Sequence, residues 1–161
     1  MMLPDSHSRI QQVTNNALRD SGILLAMLRE DELHRHISGN KYRKLKYNLQ
    51  KAKDLSHDSL LTFGGAYSNH IAATAAAGKE FGFRTVGIIR GDELESKLDE
   101  VLTDNPTLLF AREQGREVGF LSRSAYRVSY RPHLPINLSE TYGNCYLVRE
   151  GGTYVVGVRG C

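Results

Sequence analysis

The first residue in this sequence with surroundings suited to covalent chemistry is a lysine at the start of a helix. In the stretch SGNKYRKLKYNLQKAK, from Ser38 to Lys53, the turn and cap residues Ser38, Gly39 and Asn40 precede Tyr42, Leu45, Leu49 and Ala52. These apolar positions recur at steps of three and four, which predicts a loop opening into an amphipathic helix. Lys41 then falls in the first helical turn. The positive end of the helix dipole, together with Arg43, Lys44 and Lys46, disfavours its protonated form. An unprotonated lysine is an amine nucleophile toward a carbonyl. Taken alone, the same run is also the pattern of a solvated helix face.

A second stretch supplies what a nucleophile needs opposite it. In LLTFGGAYSNHIAATAAAGKEFG, from Leu60 to Gly82, a short apolar run ends at Gly64-Gly65, and Ser68-Asn69 open an alanine-rich segment. The pattern is strand, glycine turn, helix. Glycines let a backbone approach a ligand, and the free amides at a helix start bind anionic groups such as carboxylate or phosphate. Two glycines and an N-cap pair also occur as ordinary strand-to-helix connections.

Together, GNKYRKLKY and GGAYSNH resemble the pyridoxal-phosphate enzymes of the 1-aminocyclopropane-1-carboxylate deaminase and D-cysteine desulfhydrase family, within the tryptophan synthase β-like group. The resemblance extends from REDELHRHISGNK near Arg29 through IRGDE and NPTLLFA to EGGTYVVGVRGC at the end. It implies that Lys41 holds pyridoxal 5'-phosphate through its amine and moves protons when freed. It implies that Lys44 lies near the cofactor phosphate and Asn69 near the cofactor ring and substrate carboxylate. Ser68 matches a serine acting as nucleophile or substrate contact, and His70 a polar residue that helps hold the substrate carboxylate. The implied partners are a small amino-acid substrate and, in full-length members, a second copy forming a dimer. No metal ligand is implied.

The chain departs from the family in length, since members are about twice as long. The glycine-rich phosphate loop, the group at the pyridine nitrogen and the active-site tyrosines belong to a second half that would start after Cys161. Thr153-Tyr154 also stands where EGGTN is usual. A cofactor deprived of several anchors at once is expected to bind weakly.

The elements that must position these residues read as consecutive βα units. Strands are expected at Leu60 to Phe63, Arg84 to Ile89, Glu117 to Leu121 and Cys145 to Val148. Helices are expected at Lys41 to Leu55, Asn69 to Phe81 and from Asn105-Pro106 to about Gly115, with proline at the first helical position. Alternation of this kind predicts an α/β fold, an open parallel sheet with helices on both faces. It corresponds to the smaller domain of the implied fold, with the larger domain truncated. Residues 1–56 would begin the larger cofactor-binding domain, residues 57–149 form the smaller one, and residues 150–161 start the return. Met1 to Asp20 is expected to be irregular or partly helical, and Ile23 to Leu28 to be a strand. Ser122 to Asn144 is expected to be a loop with a short helix, in which Tyr126, Tyr130 and His133 have surface or packing roles.

With 161 residues, 40% apolar and 24% charged, the chain has the length and balance of a globular domain. The net charge of +3 is spread apart from the Lys41 to Lys53 cluster, and no RNA motif, zinc spacing or helix-turn-helix pattern accompanies it, which argues against nucleic-acid binding. No run approaches the roughly 20 apolar residues of a membrane helix, and the first residues lack a secretory core. Cys145 and Cys161 have no metal spacing and read as free thiols. A cytoplasmic location is expected. The sequence therefore predicts a pyridoxal-phosphate-dependent lyase or deaminase of a small amino acid, of the 1-aminocyclopropane-1-carboxylate or D-cysteine type, releasing ammonia and a 2-oxo acid. The competing reading is a non-catalytic α/β module.

Overall fold

The computed structural model describes residues 3–4, 7–128 and 138–161; Tyr130 and His133 lie outside them. In chain order the first elements are β1 (Ile10–Val13), α1 (Asn16–Asp20), β2 (Leu25–Leu28), α2 (Asn40–Asp54), β3 (Ser59–Gly64) and α3 (Asn69–Phe81). There follow β4 (Arg84–Arg90), α4 (Leu98–Asp104), α5 (Pro106–Glu113), β5 (Glu117–Leu121), α6 (Arg123–Val128), α7 (Leu138–Tyr142), β6 (Cys145–Val148) and α8 (Val155–Val158).

The expected open parallel sheet is present, with strand order β5-β4-β3-β6 and every neighbouring pair parallel. All six residues of β3 are buried, as a strand covered on both faces requires. Side chains alternate across it. Leu60 packs with Ala73, Ala76, Leu45 and Leu49 of α3 and α2, whereas Leu61 and Phe63 pack with Tyr126 of α6 on the other face. Tyr126 meets Phe63 edge-on at 5.9 Å between ring centroids, the packing role expected of it. Helices thus cover both faces.

Two segments differ from expectation. The first twenty residues contain β1, which pairs antiparallel with β2 outside the main sheet, and α1, capped by the Asn15 side chain accepting from the Leu18 amide at 2.9 Å. Their sequence, IQQV, is too short and polar to announce a strand. It forms because backbone pairing and the Arg9–Glu32 ion pair at 2.7 Å hold it. Between β4 and α5 a 3₁₀ turn at Asp92–Lys97 runs into α4, although no helix was expected there. Leu94, Leu98, Val101 and Leu102 supply its apolar face and pack against Ile89 and Leu108.

The entry to α2 depends on Gly39, the N-cap residue, at φ 63 and ψ −149 with no side-chain cap bond. Ser38 therefore does not cap this helix. The conformation is essentially confined to glycine, although a Cβ there would meet no atom within 4 Å. Gly39→Ala is therefore expected to lower stability by about 1–3 kcal/mol through backbone strain. Urea unfolding at equal slope reads this directly, and an unchanged midpoint would show that the entry relaxes without cost.

Candidate functional site

The strand order locates a crevice before any side chain is considered. From β3 the chain moves outward to β4 and β5, then returns to the opposite side of β3 as β6. Ligands of open α/β sheets bind at the carboxyl ends of strands where the order reverses in this way. The segments leaving that point are the Gly65 to Ser68 loop and the turn at Glu150–Gly152, where Gly151 and Gly152 have φ 65 and 67.

Helix α2 brings two lysines to the second of these segments. Lys41 is 8% exposed. Its Nζ donates to the Gly151 carbonyl at 3.5 Å, and Lys44, one turn on, donates to the same oxygen at 3.1 Å. Gly152 lies so close that a Cβ on it would stand 3.0 Å from Lys44 Cβ and 3.6 Å from His70 Cε1. The Lys41 amine is pushed below the ordinary lysine range, by burial first and by the Lys44 charge second. The direction agrees with the sequence reading, but Arg43 does not contribute. It turns away to the Glu30 carboxylate at 3.1 Å and to Ser8 at 3.0 Å. Lys46 stands over the Tyr47 ring at 5.4 Å.

The third contributor is the start of α3. Ser68 is the N-cap residue by backbone conformation, yet its side chain makes no cap bond, so its hydroxyl is not consumed by the helix. Ser68 is half-buried and Asn69 exposed. The amides of the first helical turn have no acceptor within the helix itself. His70, by contrast, is 1% exposed. Its Nε2 lies 3.0 Å from Thr62 Oγ1, and that hydroxyl donates to the Val148 carbonyl at 2.6 Å. With its one proton committed to Val148, Thr62 can only accept from Nε2–H, so Nδ1 carries the lone pair. Nδ1 makes no hydrogen bond. Holding a substrate carboxylate would require a free N–H, and in this arrangement Thr62 uses it. The structure therefore joins Lys41, Lys44 and His70 around Gly151-Gly152, with Ser68 and Asn69 two residues and one residue upstream of His70.

Three participants were not anticipated. Thr62 is a polar residue in the middle of a fully buried strand, a signal the sequence did contain. Gly151 acts through its carbonyl, which no side-chain pattern reveals. Arg116 is 4% exposed and donates to the Ile71 carbonyl at 2.5 Å and the Val86 carbonyl at 2.9 Å. Burial lowers its pKa to about 9.

Burial, reinforced by the Lys41 and Arg116 charges, lowers the His70 pKa from 6.5 to about 3. The unfolded chain binds a proton at His70 below about pH 6.5, whereas the folded chain does so only near 3. Stability is therefore lost as pH falls through that window, with a slope approaching about 1.4 kcal/mol per pH unit for one proton. His70→Gln is expected to flatten the curve of unfolding free energy against pH by about one proton. Parallel curves for the two proteins would contradict a neutral buried imidazole.

No protein-family model matches the chain. It is 35% identical over 106 residues to the Arabidopsis thaliana protein named bifunctional D-cysteine desulfhydrase/1-aminocyclopropane-1-carboxylate deaminase, mitochondrial, a match covering 66% of this chain and 26% of that protein. A Pyrococcus horikoshii protein named as a candidate 1-aminocyclopropane-1-carboxylate deaminase is 26% identical over 152 residues, 92% of this chain and 44% of the relative. A crystal structure described as an ACC deaminase homologue superposes with a TM-score of 0.70 at 27% identity, covering 99% of this chain and 46% of the other. The chain thus spans less than half the length of each of these relatives. With two spaced motifs and a shared fold in agreement, the chain is homologous over most of its length to proteins named 1-aminocyclopropane-1-carboxylate deaminase and D-cysteine desulfhydrase.

Proposed function

We propose that this chain carries the amine-bearing part of a pyridoxal-phosphate-dependent deaminase of a small amino acid, of the 1-aminocyclopropane-1-carboxylate or D-cysteine type. The observation that carries the reading is the buried Lys41 amine, held below its ordinary pKa beside Lys44 at one carbonyl.

The residues present suit the cofactor. An aldehyde requires an uncharged amine, which burial of Lys41 favours, and a phosphate requires cations and free amides, which Lys44 and the start of α3 offer. Gly65 leaves the approach open, since a Cβ there would meet only Arg90 Nη2, at 4.0 Å. Bound pyridoxal phosphate would withdraw electrons from the substrate carbon. Lys41 would hold the cofactor through its amine, and its Nζ is the group that would carry a proton to or from that carbon. Lys44 would compensate negative charge on the phosphate, and its proximity lowers the proton affinity of Lys41. Ser68 offers its unspent hydroxyl to the substrate, and Asn69 lies at the ring and carboxylate side. His70, buried, neutral and held by Thr62, does not donate a proton near pH 7. Ammonia and a 2-oxo acid are the products, with sulfide as well when the substrate is D-cysteine.

Both cysteines are free, consistent with a reducing compartment such as the cytoplasm. Among the described residues no helix is long and apolar enough to cross a membrane. Assembly as a homodimer is part of the proposal for the longer proteins. A second reading, a non-catalytic module that pairs with other polypeptide, is favoured by the β1–β2 ribbon, where Ile10 is 70% and Leu28 56% exposed. A two-stranded ribbon has little stability of its own.

Mixing the protein with pyridoxal phosphate, reducing with borohydride and mapping the adduct separates the readings. The expected result is a visible absorption band and one dominant modified peptide containing Lys41, both lost in Lys41→Ala. Adducts spread evenly over exposed lysines would overturn the enzymatic reading and leave the module.

A further inference from the structure

We infer that Asn105 is a positioning residue, which clamps the Gly65 to Ser68 loop in the shape that presents Ser68 and Asn69; this rests on the functional reading above. Asn105 is 2% exposed and precedes α5. Its Oδ1 accepts from the Thr107 amide at 3.0 Å and the Leu108 amide at 3.1 Å. Only the oxygen can accept, so these two bonds fix the orientation of the amide group. The Nδ2 then necessarily points the other way, and it donates to the Ala66 carbonyl at 3.1 Å.

Ala66 lies in the middle of the loop. The other internal bond there, Ser68 N to Gly65 O at 3.0 Å, closes the turn without attaching it to the rest of the protein. Packing holds the loop at Ala66, which lies against the cluster of Ile71, Leu102 and Leu108, while beside it opens a hollow of about 220 Å³ lined by Ala66, Tyr67, Leu94, Val101 and Asn105 among others. Tyr67 itself is 74% exposed. One side chain thus caps a helix with its oxygen and tethers the candidate substrate loop with its nitrogen. A serine or aspartate would satisfy the cap equally well, so the cap alone does not call for an amide.

The test uses Asn105→Ser, which keeps a capping acceptor and removes the Nδ2 donor. Hydrogen exchange of the backbone amides is compared with that of the original protein, together with the apparent dissociation constant for pyridoxal phosphate read from the absorption band. The expected result is exchange at the loop amides Tyr67 to Asn69 faster by between about twofold and tenfold, the range of one intramolecular hydrogen bond. Protection at Leu109 and Phe110 in α5 should be retained, and the dissociation constant should be several-fold weaker with the same saturating absorbance. Loop exchange equal to the original, or equal acceleration in loop and α5, would overturn the clamp. Faster loop exchange with an unchanged dissociation constant would overturn its role in presenting the site. If the original protein forms no Lys41 adduct at all, the functional reading fails, and the exchange comparison still decides the tether.

Discussion

Two ammonium groups donate to one carbonyl oxygen, that of Gly151, and much of the structure serves to make this arrangement tolerable. Like charges repel, and burial of one of them adds a desolvation cost. The site persists because the backbone presenting that oxygen is held from several sides. Gly151 and Gly152 adopt left-handed φ values that a side chain would strain. A Cβ at Gly157 would overlap the Gly152 carbonyl, and one at Gly160 would overlap that of Arg43, so α8 closes on the turn and on α2 by backbone contact.

The consequence is an amine with a weakened hold on its proton. Arg43 belongs to Glu30 and Ser8, so that after burial Lys44 is the cation that lowers the proton affinity of Lys41, against a smaller opposing effect of Cys161. Below them, Thr62 links β3, β6 and α3 in one hydrogen-bonded chain through Val148 and His70. This chain couples the two strands flanking the topological switch to the helix that carries the candidate substrate contacts. Arg116 ties the same helix to β4 through two carbonyls and no carboxylate, so its charge adds to the positive character of the region.

The sheet and its longer helices were legible because their cause is local. The short, mostly apolar run LLTF, the β-branched RTVGII and the three-and-four spacing of α2 are each local patterns. What was not legible has non-local causes. β1 is a strand only because β2 pairs with it. α4 is hard to read because its charges mask a face at Leu98, Val101 and Leu102, continued by Leu94 in the preceding 3₁₀ turn, that does follow helical spacing. At the site, the types of Lys41, Ser68 and Asn69 signalled chemistry, whereas the cause of the Lys41 shift was misjudged. Sequence proximity placed Arg43 beside it, and the helix geometry turned Arg43 to the other side. The state of His70 depends on a threonine eight residues away and a carbonyl on a third element, and no one-dimensional pattern encodes that.

The account depends on burial and Lys44 together lowering the proton affinity of Lys41. The most direct measurement is a pH titration of the lysine side chains by NMR in protein carrying ¹³C at lysine Cε, with the Lys41 signal assigned from Lys41→Arg. The account predicts that Lys41 titrates below the exposed lysines and moves back toward them in Lys44→Ala. A Lys41 signal titrating together with the exposed lysines in both proteins would contradict it.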